Sequence, residues 1–343
     1  MSGELTERLT DLGYALGWRA VRAAPPGLAG GLFRAGADLA ARRDGAGARQ
    51  LRANLARVLA HGGAGRPGTA PSTALGTAPS TALGTALGTA PSTAELDAVV
   101  AAGLRSYARY WCEAFRLPAL DPVALHDAVD PTVAGVAHLE RALADGRGVV
   151  AALTHSGNWD VAGAWLVEAL RGRGEPATFV TVAERLRPES LYRRFVAYRE
   201  SLGFEVLPAD GGARTVATLA ARLRANRVVC LVADRELTGG GIEVDLCGEP
   251  ARLPGGPAQL ARHTGAALLP FGGWFTPGGW GLRFRPPIEV PAGPGGPAVR
   301  AVTQALADAF GADLAEHPAD WHMLQPVWSA DRAAAAPVSE VAR

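Results

Sequence analysis

Short apolar runs alternate with longer amphipathic stretches from residue 149 onwards. Val149–Thr154 and Val228–Ala233 are largely apolar and of strand length, whereas Trp159–Leu170 has apolar residues at helical spacing. The same patterns predict strands at Ala177–Val182, Phe204–Leu207, Ile242–Leu246, Ala267–Phe271 and Gly281–Phe284, and helices at Glu95–Arg116, Pro188–Leu202, Ala213–Ala225 and Pro257–His263. This alternation predicts an α/β fold with a mixed, largely parallel central sheet flanked by helices.

Two amphipathic stretches come before this region. Leu16 and Trp18 lie close to Arg19, and the stretch from Gly27 to Arg43 again combines leucines with arginines. We predict an N-terminal helical segment over residues 1–62, which either packs on the core or binds a membrane surface. The chain contains no uncharged apolar run of about 18 residues, so no transmembrane helix is expected.

A repeat of low complexity follows the N-terminal segment. The unit GTAPSTAL occurs at 68–75 and again at 76–83, and truncated copies continue to residue 94. Charged and aromatic residues are absent between Arg66 and Glu95, so this stretch cannot bury enough apolar surface to become ordered. We therefore predict a disordered insertion over 63–94, a core domain over 95–330 and a disordered tail over 331–343.

The charge balance argues against one class of partner. The chain has 34 basic and 33 acidic residues, which gives no global electrostatic support for binding nucleic acid. Every basic residue is arginine, a side chain that binds phosphate through two hydrogen bonds at once. The three cysteines fit neither a zinc-binding nor a disulfide pattern, and neither a metal nor a resident cofactor is expected.

The strongest chemical signal lies where a predicted strand meets a predicted helix. His155 follows the strand Val149–Thr154, at the edge where α/β sheets place their chemistry. Asn158 is a predicted helix N-cap, and Asp160 then falls in the first helical turn, from which it could fold back to the imidazole. An acid that binds one ring nitrogen leaves the other free to act as a base.

Two other interpretations of this segment remain open. A histidine before a capped helix also occurs without any catalytic role, because an acid in the first turn is favourable in itself. Ser156 could instead act as a nucleophile, although the surrounding residues lack the G-x-S-x-G elbow of many serine hydrolases.

The spacing His-x-x-x-x-Asp after a buried strand resembles the glycerolipid-type acyltransferases. The string HSGNWD is similar to one branch, which holds the late acyltransferases of lipid A synthesis and the phosphatidylinositol mannoside acyltransferases. Further segments that resemble this branch are Arg52–Leu55, Ser106–Trp111, Ala183–Leu186, Tyr198–Glu200, Ala233–Thr238 and Gly248–Pro257. The resemblance covers about residues 1–62 and 95–330, and the segments at 183–186 and 234–238 look more like the mannoside acyltransferases.

The resemblance implies a glycerolipid acyltransferase-like fold and direct acyl transfer from acyl-CoA to a mannose hydroxyl of a phosphatidylinositol mannoside. His155 would be the general base, and Asp160 would orient it. Asp234, at the end of the strand Val228–Ala233, would be a second catalytic support, although a helix-cap or salt-bridge role explains it equally well.

The resemblance also implies substrate-binding residues and a location. Glu184, Arg199 and Arg235 would contact substrate, with Arg199 binding a phosphate or polarising the carbonyl unless it is simply an exposed helix charge. Acyl-CoA is a co-substrate, so no cofactor is implied, and the enzyme is expected on the cytoplasmic face of the cell membrane as a peripheral protein. The alternatives are another glycolipid or lipid A-type acceptor, a lipid hydrolase that uses Ser156, and an inactive membrane-binding paralogue.

Overall fold

The computed structural model describes residues 13, 16–64, 91–236, 239–291 and 295–335. Residues 16–23 are helical and are left unnumbered. The eleven α-helices that follow them in the described part of the chain are numbered in chain order. The helices are α1 (Pro26–Arg43), α2 (Ala46–Ala64), α3 (Thr93–Arg116), α4 (Pro122–Val129), α5 (Val136–Ala144), α6 (Trp159–Gly172), α7 (Glu189–Ser201), α8 (Gly212–Arg224), α9 (Gly256–Thr264), α10 (Gly295–Glu316) and α11 (Ser329–Ala335). The strands are β1 (Val133–Ala134), β2 (Val149–Leu153), β3 (Phe179–Ala183), β4 (Phe204–Pro208), β5 (Val228–Val232), β6 (Ile242–Leu246), β7 (Glu249–Leu253), β8 (Ala267–Thr276) and β9 (Gly279–Phe284).

Seven of these strands form one mixed sheet in the order β1-β9-β8-β2-β5-β3-β4. The pairs from β8 through β2, β5 and β3 to β4 are parallel, and β9 runs antiparallel to β8. The structure therefore confirms the predicted α/β class with a largely parallel mixed sheet. Because β2 and β5 are neighbours at the centre, the residues that follow them come together at one edge.

Both faces of the sheet are covered by helices, which explains why its central strands are apolar without alternation. In β2, Val150 and Ala152 pack into the core formed with α8, α9 and α10, whereas Val149, Ala151 and Leu153 pack into the core formed with α4, α5 and α6. All five side chains are at most 8% exposed. Parallel strands that are buried on both faces require this composition.

The N-terminal helices lie against the core. Leu51 and Leu55 of α2 are fully buried and pack with Val100 and Leu104 of α3. The buried Asn54 side chain donates to the carbonyl of Met323 at 2.8 Å, which ties α2 to the segment after α10. None of the helices in the described part of the chain combines the length and apolar character needed to cross a membrane.

Several elements differ from the sequence prediction, among them α4, α5, α11, β1 and β7, which were not predicted. Ile242–Leu246 is a strand as expected, but it pairs with Glu249–Leu253 in a separate antiparallel hairpin rather than in the central sheet. The long helix α10 was not predicted, because its pattern of small and apolar residues is broad rather than confined to one face.

The predicted segment boundaries fall partly on residues that the structure describes. Ser92 caps α3, with its side chain accepting from the Glu95 backbone N–H at 3.2 Å, so α3 and its cap lie partly within the predicted insertion, which ends at residue 94. Residues 65–90 of that insertion lie outside the described residues. Helix α11 crosses the predicted start of the tail at residue 331, and residues 336–343 again lie outside the described residues.

Candidate active site

His155 and Asp234 meet at the carboxyl ends of the neighbouring strands β2 and β5. Leu153 lies opposite Val232 in this parallel pair, so both chains leave the sheet at the same edge. His155 Nδ1 is 2.6 Å from Asp234 Oδ1, and the His155 backbone N–H donates to Asp234 Oδ2 at 2.9 Å. The imidazole is 29% exposed and Asp234 only 1%. The carboxylate therefore keeps the proton on Nδ1 and leaves Nε2 available as a base.

The ionised form of Asp234 is favoured although the side chain is buried. Burial alone would raise the pKa of Asp234, but the charge of His155 and the hydrogen bonds from His155 and Trp321 more than offset it, so the pKa is lowered. The Trp321 indole Nε1–H donates to Asp234 Oδ2 at 2.8 Å. An ionised acid here stabilises the positive charge that the imidazole gains when it accepts a proton.

Asp160 has different partners from the one that the sequence predicts. Arg199 Nε donates to Asp160 Oδ1 at 2.9 Å, and the Tyr110 hydroxyl donates to Asp160 Oδ2 at 2.9 Å. Within the described part of the chain, no hydrogen bond joins Asp160 to His155. The prediction that Asp160 orients His155 is therefore wrong, and Asp234 makes this contact instead. Asp234 can do so because β5 lies beside β2, whereas the first turn of α6 directs Asp160 towards α3 and α7.

The ion pair of Asp160 and Arg199 is itself buried. Desolvation opposes the charge on Arg199, but Asp160 outweighs it and the pKa of Arg199 is raised. Burial, and then the charge of Asp160, raises the pKa of Tyr110 well above its ordinary value. The two terminal nitrogens of Arg199 bond to no residue that the structure describes, so they remain available as donors.

The turn that carries the imidazole is held by close packing and by a helix cap. Gly157 has φ of +61°, and a Cβ there would lie 2.7 Å from the carbonyl carbon of Gly273. Asn158 caps α6, as predicted, by accepting from the Val161 backbone N–H at 3.1 Å. Its Nδ2 atom donates to Glu113 Oε2 at 2.8 Å, which links the turn to α3.

Ser156 follows His155 directly in the sequence, but its hydroxyl bonds to another residue. The Ser156 hydroxyl is 2.8 Å from the Thr154 hydroxyl, and no hydrogen bond connects it to His155 in the described structure. A serine nucleophile needs a base on its hydroxyl. The arrangement therefore gives no support to a hydrolase that uses Ser156.

Two of the three predicted substrate-binding residues are brought together. Arg235 and Glu184 follow the neighbouring strands β5 and β3, and Arg235 Nη2 lies 2.5 Å from Glu184 Oε2. Glu184 is 53% exposed and Arg235 is 21% exposed, so the pair borders solvent at the edge of the sheet that carries His155. Arg199 lies apart from them in the cluster with Asp160.

The segment 320–322, which is bonded to the turn that carries His155, was not predicted as part of the site. The Gly157 backbone N–H donates to the Asp320 carbonyl at 2.9 Å, and the His322 backbone N–H donates to the His155 carbonyl at 2.8 Å. The sequence marks Trp321 and His322 only as an aromatic pair near the C-terminus, where a structural role is the ordinary expectation. A single short segment has no periodicity that could reveal its tertiary partners.

His322 is a buried neutral histidine. Its Nε2 atom lies 2.8 Å from the Ser106 hydroxyl, which also donates to Asp320 Oδ1 at 2.7 Å. Burial lowers the pKa of His322 to about 3, so its ring carries no charge near neutral pH. Among the two histidines of this region, only His155 is suited to exchange protons with a substrate.

A narrow apolar cavity lies between α6 and the central sheet. Its lining comes from α6, from several strands and from Arg199 of α7: Trp159, Asp160, Ala162, Gly163, Trp165, Leu166, Ala151, Leu153, Phe179, Thr181, Val182, Arg199, Phe204, Cys230, Val232, Phe271 and Phe284. The Trp159 ring is also 5.5 Å from the His155 ring, centroid to centroid. Trp159 is therefore a neighbour of both the apolar space and the imidazole.

A base held by a buried acid, next to an apolar cavity, suits the movement of an acyl group to a hydroxyl. Comparison with known proteins gives the same class, and the chain is an acyltransferase. The model of a family described as bacterial lipid A biosynthesis acyltransferase matches residues 80–330, and the chain belongs to this family.

Two curated relatives match almost the whole chain. A phosphatidylinositol mannoside acyltransferase from Mycolicibacterium smegmatis is 51% identical over 325 residues, which cover 94% of this chain and 93% of that protein. A phosphatidylinositol mannoside acyltransferase from Mycobacterium tuberculosis is 49% identical over 328 residues, which cover 95% of this chain and 91% of that protein.

Proposed function

We propose that the enzyme transfers a fatty acyl group from acyl-CoA to a mannose hydroxyl of a phosphatidylinositol mannoside, with His155 as the general base. The choice of acceptor is supported by the names of the two relatives, which are 51% and 49% identical over more than nine tenths of each chain. The observation that carries the mechanism is the contact of 2.6 Å between His155 Nδ1 and the buried carboxylate of Asp234.

The reaction proceeds by direct transfer. His155 Nε2 takes the proton from the mannose hydroxyl while that oxygen attacks the thioester carbonyl. Asp234 stabilises the resulting imidazolium, and the tetrahedral intermediate collapses with loss of the CoA thiolate. The imidazolium returns the proton to the thiolate, so the products are an ester and free CoA, and no acyl-enzyme forms. General-base assistance of this kind contributes about 10²- to 10⁴-fold to the rate.

The cavity between α6 and the sheet is the proposed site of the acyl chain. Most of its lining is apolar, and its two charged members, Asp160 and Arg199, lie in the cluster near the start of α6. Trp159 borders both the cavity and the imidazole, so a chain in the cavity would bring its thioester towards His155. Burying an apolar chain contributes about 0.8 kcal/mol per CH₂ group.

Polar groups beside the base are proposed to hold the acceptor. The free terminal nitrogens of Arg199 suit the thioester carbonyl or the acceptor phosphate. The exposed pair of Glu184 and Arg235 suits sugar hydroxyls, because a carboxylate accepts and a guanidinium donates hydrogen bonds.

A peripheral position on the cytoplasmic face of the membrane is proposed from the surface of α1. Leu28 is 57% exposed, Leu32 is 65% exposed and Leu39 is 45% exposed, whereas Ala29 and Ala37 of the same helix are buried. Arginines 34, 42 and 43 on this helix are also exposed. Apolar side chains flanked by arginines are the pattern of a helix that lies in the interface of an anionic membrane.

A competition experiment tests the acceptor. The purified full-length protein is incubated with one long-chain acyl-CoA and equal concentrations of a mannosyl phosphatidylinositol, a lipid A precursor and lysophosphatidic acid, and the products are identified by mass spectrometry. We expect acylation of the mannosyl lipid and CoA release that depends on it. Preferential acylation of either other lipid would overturn the acceptor, and release of free fatty acid at the same rate without acceptor would favour hydrolysis.

A further inference from the structure

The Trp321 side chain contacts the catalytic pair from its buried side. Its indole N–H donates to Asp234 Oδ2 at 2.8 Å, and the same oxygen accepts the His155 backbone N–H at 2.9 Å. The other oxygen, Oδ1, is left for His155 Nδ1. Two donors on Oδ2 therefore prevent the carboxylate from rotating away from the imidazole.

Trp321 is itself fixed relative to the turn that carries the base. It forms a backbone bridge with Ser156, and the hydrogen bonds of Asp320 and His322 to that turn lie on either side of it. The indole is fully buried and packs edge-on against Trp328, with 5.9 Å between ring centroids. Backbone and side chain of the same residue thus hold both members of the catalytic pair.

We propose that Trp321 is a positioning residue of the acyltransferase reaction: its indole N–H keeps the Asp234 carboxylate aligned on His155 and favours the state in which the base is free to accept a proton. This inference rests on the proposed role of His155 as the base. Trp321 touches no substrate and acts only through Asp234.

The direction of the pH effect follows from the charge of the pair. With His155 neutral, the buried pair carries one negative charge, and protonation of the imidazole neutralises it. An N–H donor to the carboxylate stabilises the negative state more than the neutral one, so its removal raises the apparent pKa of the pair. The acid limb of the pH–rate profile then moves to higher pH, and less enzyme is active at neutral pH.

Other charged groups near the pair keep their partners when Trp321 changes. They are the Arg235–Glu184 ion pair, the Arg332–Glu236 ion pair, the Arg199–Asp160 ion pair, Asp320 bonded to Ser106, and the neutral His322. Since Trp321→Phe removes none of these groups, a shift of the acid limb reports the loss of the indole N–H.

Trp328 provides a matched control. It is equally buried, and its Nε1–H donates to the Leu246 carbonyl at 2.9 Å rather than to a catalytic residue. Trp321→Phe and Trp328→Phe therefore remove one buried indole and one hydrogen bond each. A purely structural role predicts similar effects for the two variants.

The test measures kcat and KM for acyl-CoA against pH in the wild type and both variants. We expect Trp321→Phe to lower kcat about ten-fold at neutral pH with little change in KM, and to move the acid limb to higher pH; ten-fold is a fraction of the 10² to 10⁴ that a general base supplies. Trp328→Phe should keep the wild-type profile. Superimposable profiles for the two variants would overturn the proposal.

A second substitution covers the case in which Trp321→Phe fails to fold. Replacing Trp321 by 3-benzothienylalanine keeps the shape of the indole and substitutes sulfur for the N–H group. The proposal predicts the same shift of the acid limb, and an unshifted profile contradicts it. If the wild type does not transfer acyl groups, or if His155→Gln retains activity, the proposed function fails instead.

Discussion

At the scale of single residues, two buried carboxylates near the active-site turn have different charged partners. Asp234 faces the imidazole of His155, and Asp160 faces the guanidinium of Arg199; each acid is 1% exposed. The imidazole of the first pair can accept and return a proton, whereas the guanidinium of the second pair keeps its charge. We therefore expect Asp234 to matter for proton transfer and Asp160 mainly for the stability of the cluster with Arg199.

Asp160→Asn tests this difference. We expect a loss of about 3 to 5 kcal/mol in the free energy of unfolding, because Arg199 is left without its counter-charge in a buried position. The measurement is urea unfolding of the variant and of Glu205→Gln, which breaks a more exposed ion pair with Arg222 and should cost about 1 kcal/mol or less. Equal stability of the two variants would contradict the structural role of Asp160.

The sequence identified His155 and Asp234 as candidate residues but assigned the closer contact to Asp160. The spacing of five residues between His155 and Asp160 is visible in the sequence. That β2 and β5 are neighbours is not visible, because strand order does not follow chain order in a sheet with crossovers. Trp321 could not be predicted for the same reason. Its role arises from the return of the chain to the active-site turn after α10.

At the scale of elements, α6 and the strands beneath it determine both the site and the cavity. The sequence predicted α6 and the central strands closely, since continuous apolar runs and a capped amphipathic helix are strong signals. It did not predict the cavity, which depends on side chains from six different strands and two helices. Gly163 of α6 faces this space, and a Cβ there would lie 2.5 Å from Phe204 Cζ and 2.9 Å from Phe179 Cζ.

Phe204→Leu tests the cavity as the site of the acyl chain. Phe179 and Phe204 are 4.5 Å apart, ring to ring, and line the cavity opposite Gly163. One methylene in an apolar pocket is worth about 1 to 3 kcal/mol. We expect the smaller side chain to raise the ratio of kcat/KM for longer over shorter acyl-CoA donors about ten-fold.

The control for this experiment is Phe310→Leu, in the core on the opposite side of the sheet. Phe310 is 1% exposed and does not line the cavity. It should lower the melting temperature as Phe204→Leu does, without changing the donor ratio. An unchanged donor ratio in Phe204→Leu would contradict the proposal that the acyl chain binds in the cavity.

At the scale of the whole molecule, the N-terminal helices join the core and also offer an apolar surface. Helix α2 is tied to the core through Leu51, Leu55 and Asn54. Leu28 and Leu32 of α1 are exposed, and these are the side chains proposed to meet a membrane. Substituting these surface leucines therefore tests membrane binding without exposing the core, as removal of the whole helix would.

The double substitution Leu28→Gln and Leu32→Gln should weaken binding to anionic liposomes at least ten-fold while leaving the melting temperature nearly unchanged. Burying one leucine is worth about 1.5 to 3 kcal/mol, and both side chains are more than half exposed in the free protein. Val216→Gln, at a position 55% exposed on α8, is the matched control in co-sedimentation. Equal binding of both variants and the wild type would place the membrane contact elsewhere.

The central claim is that the imidazole of His155, supported by Asp234, is the base for acyl transfer. Its most direct test is the initial rate of ester formation from acyl-CoA and a mannosyl phosphatidylinositol, measured for His155→Gln and for the wild type. A melting temperature close to that of the wild type shows that the variant is folded. We expect a loss of about 10²- to 10⁴-fold, the contribution of a general base. A rate within a few-fold of the wild type would contradict it.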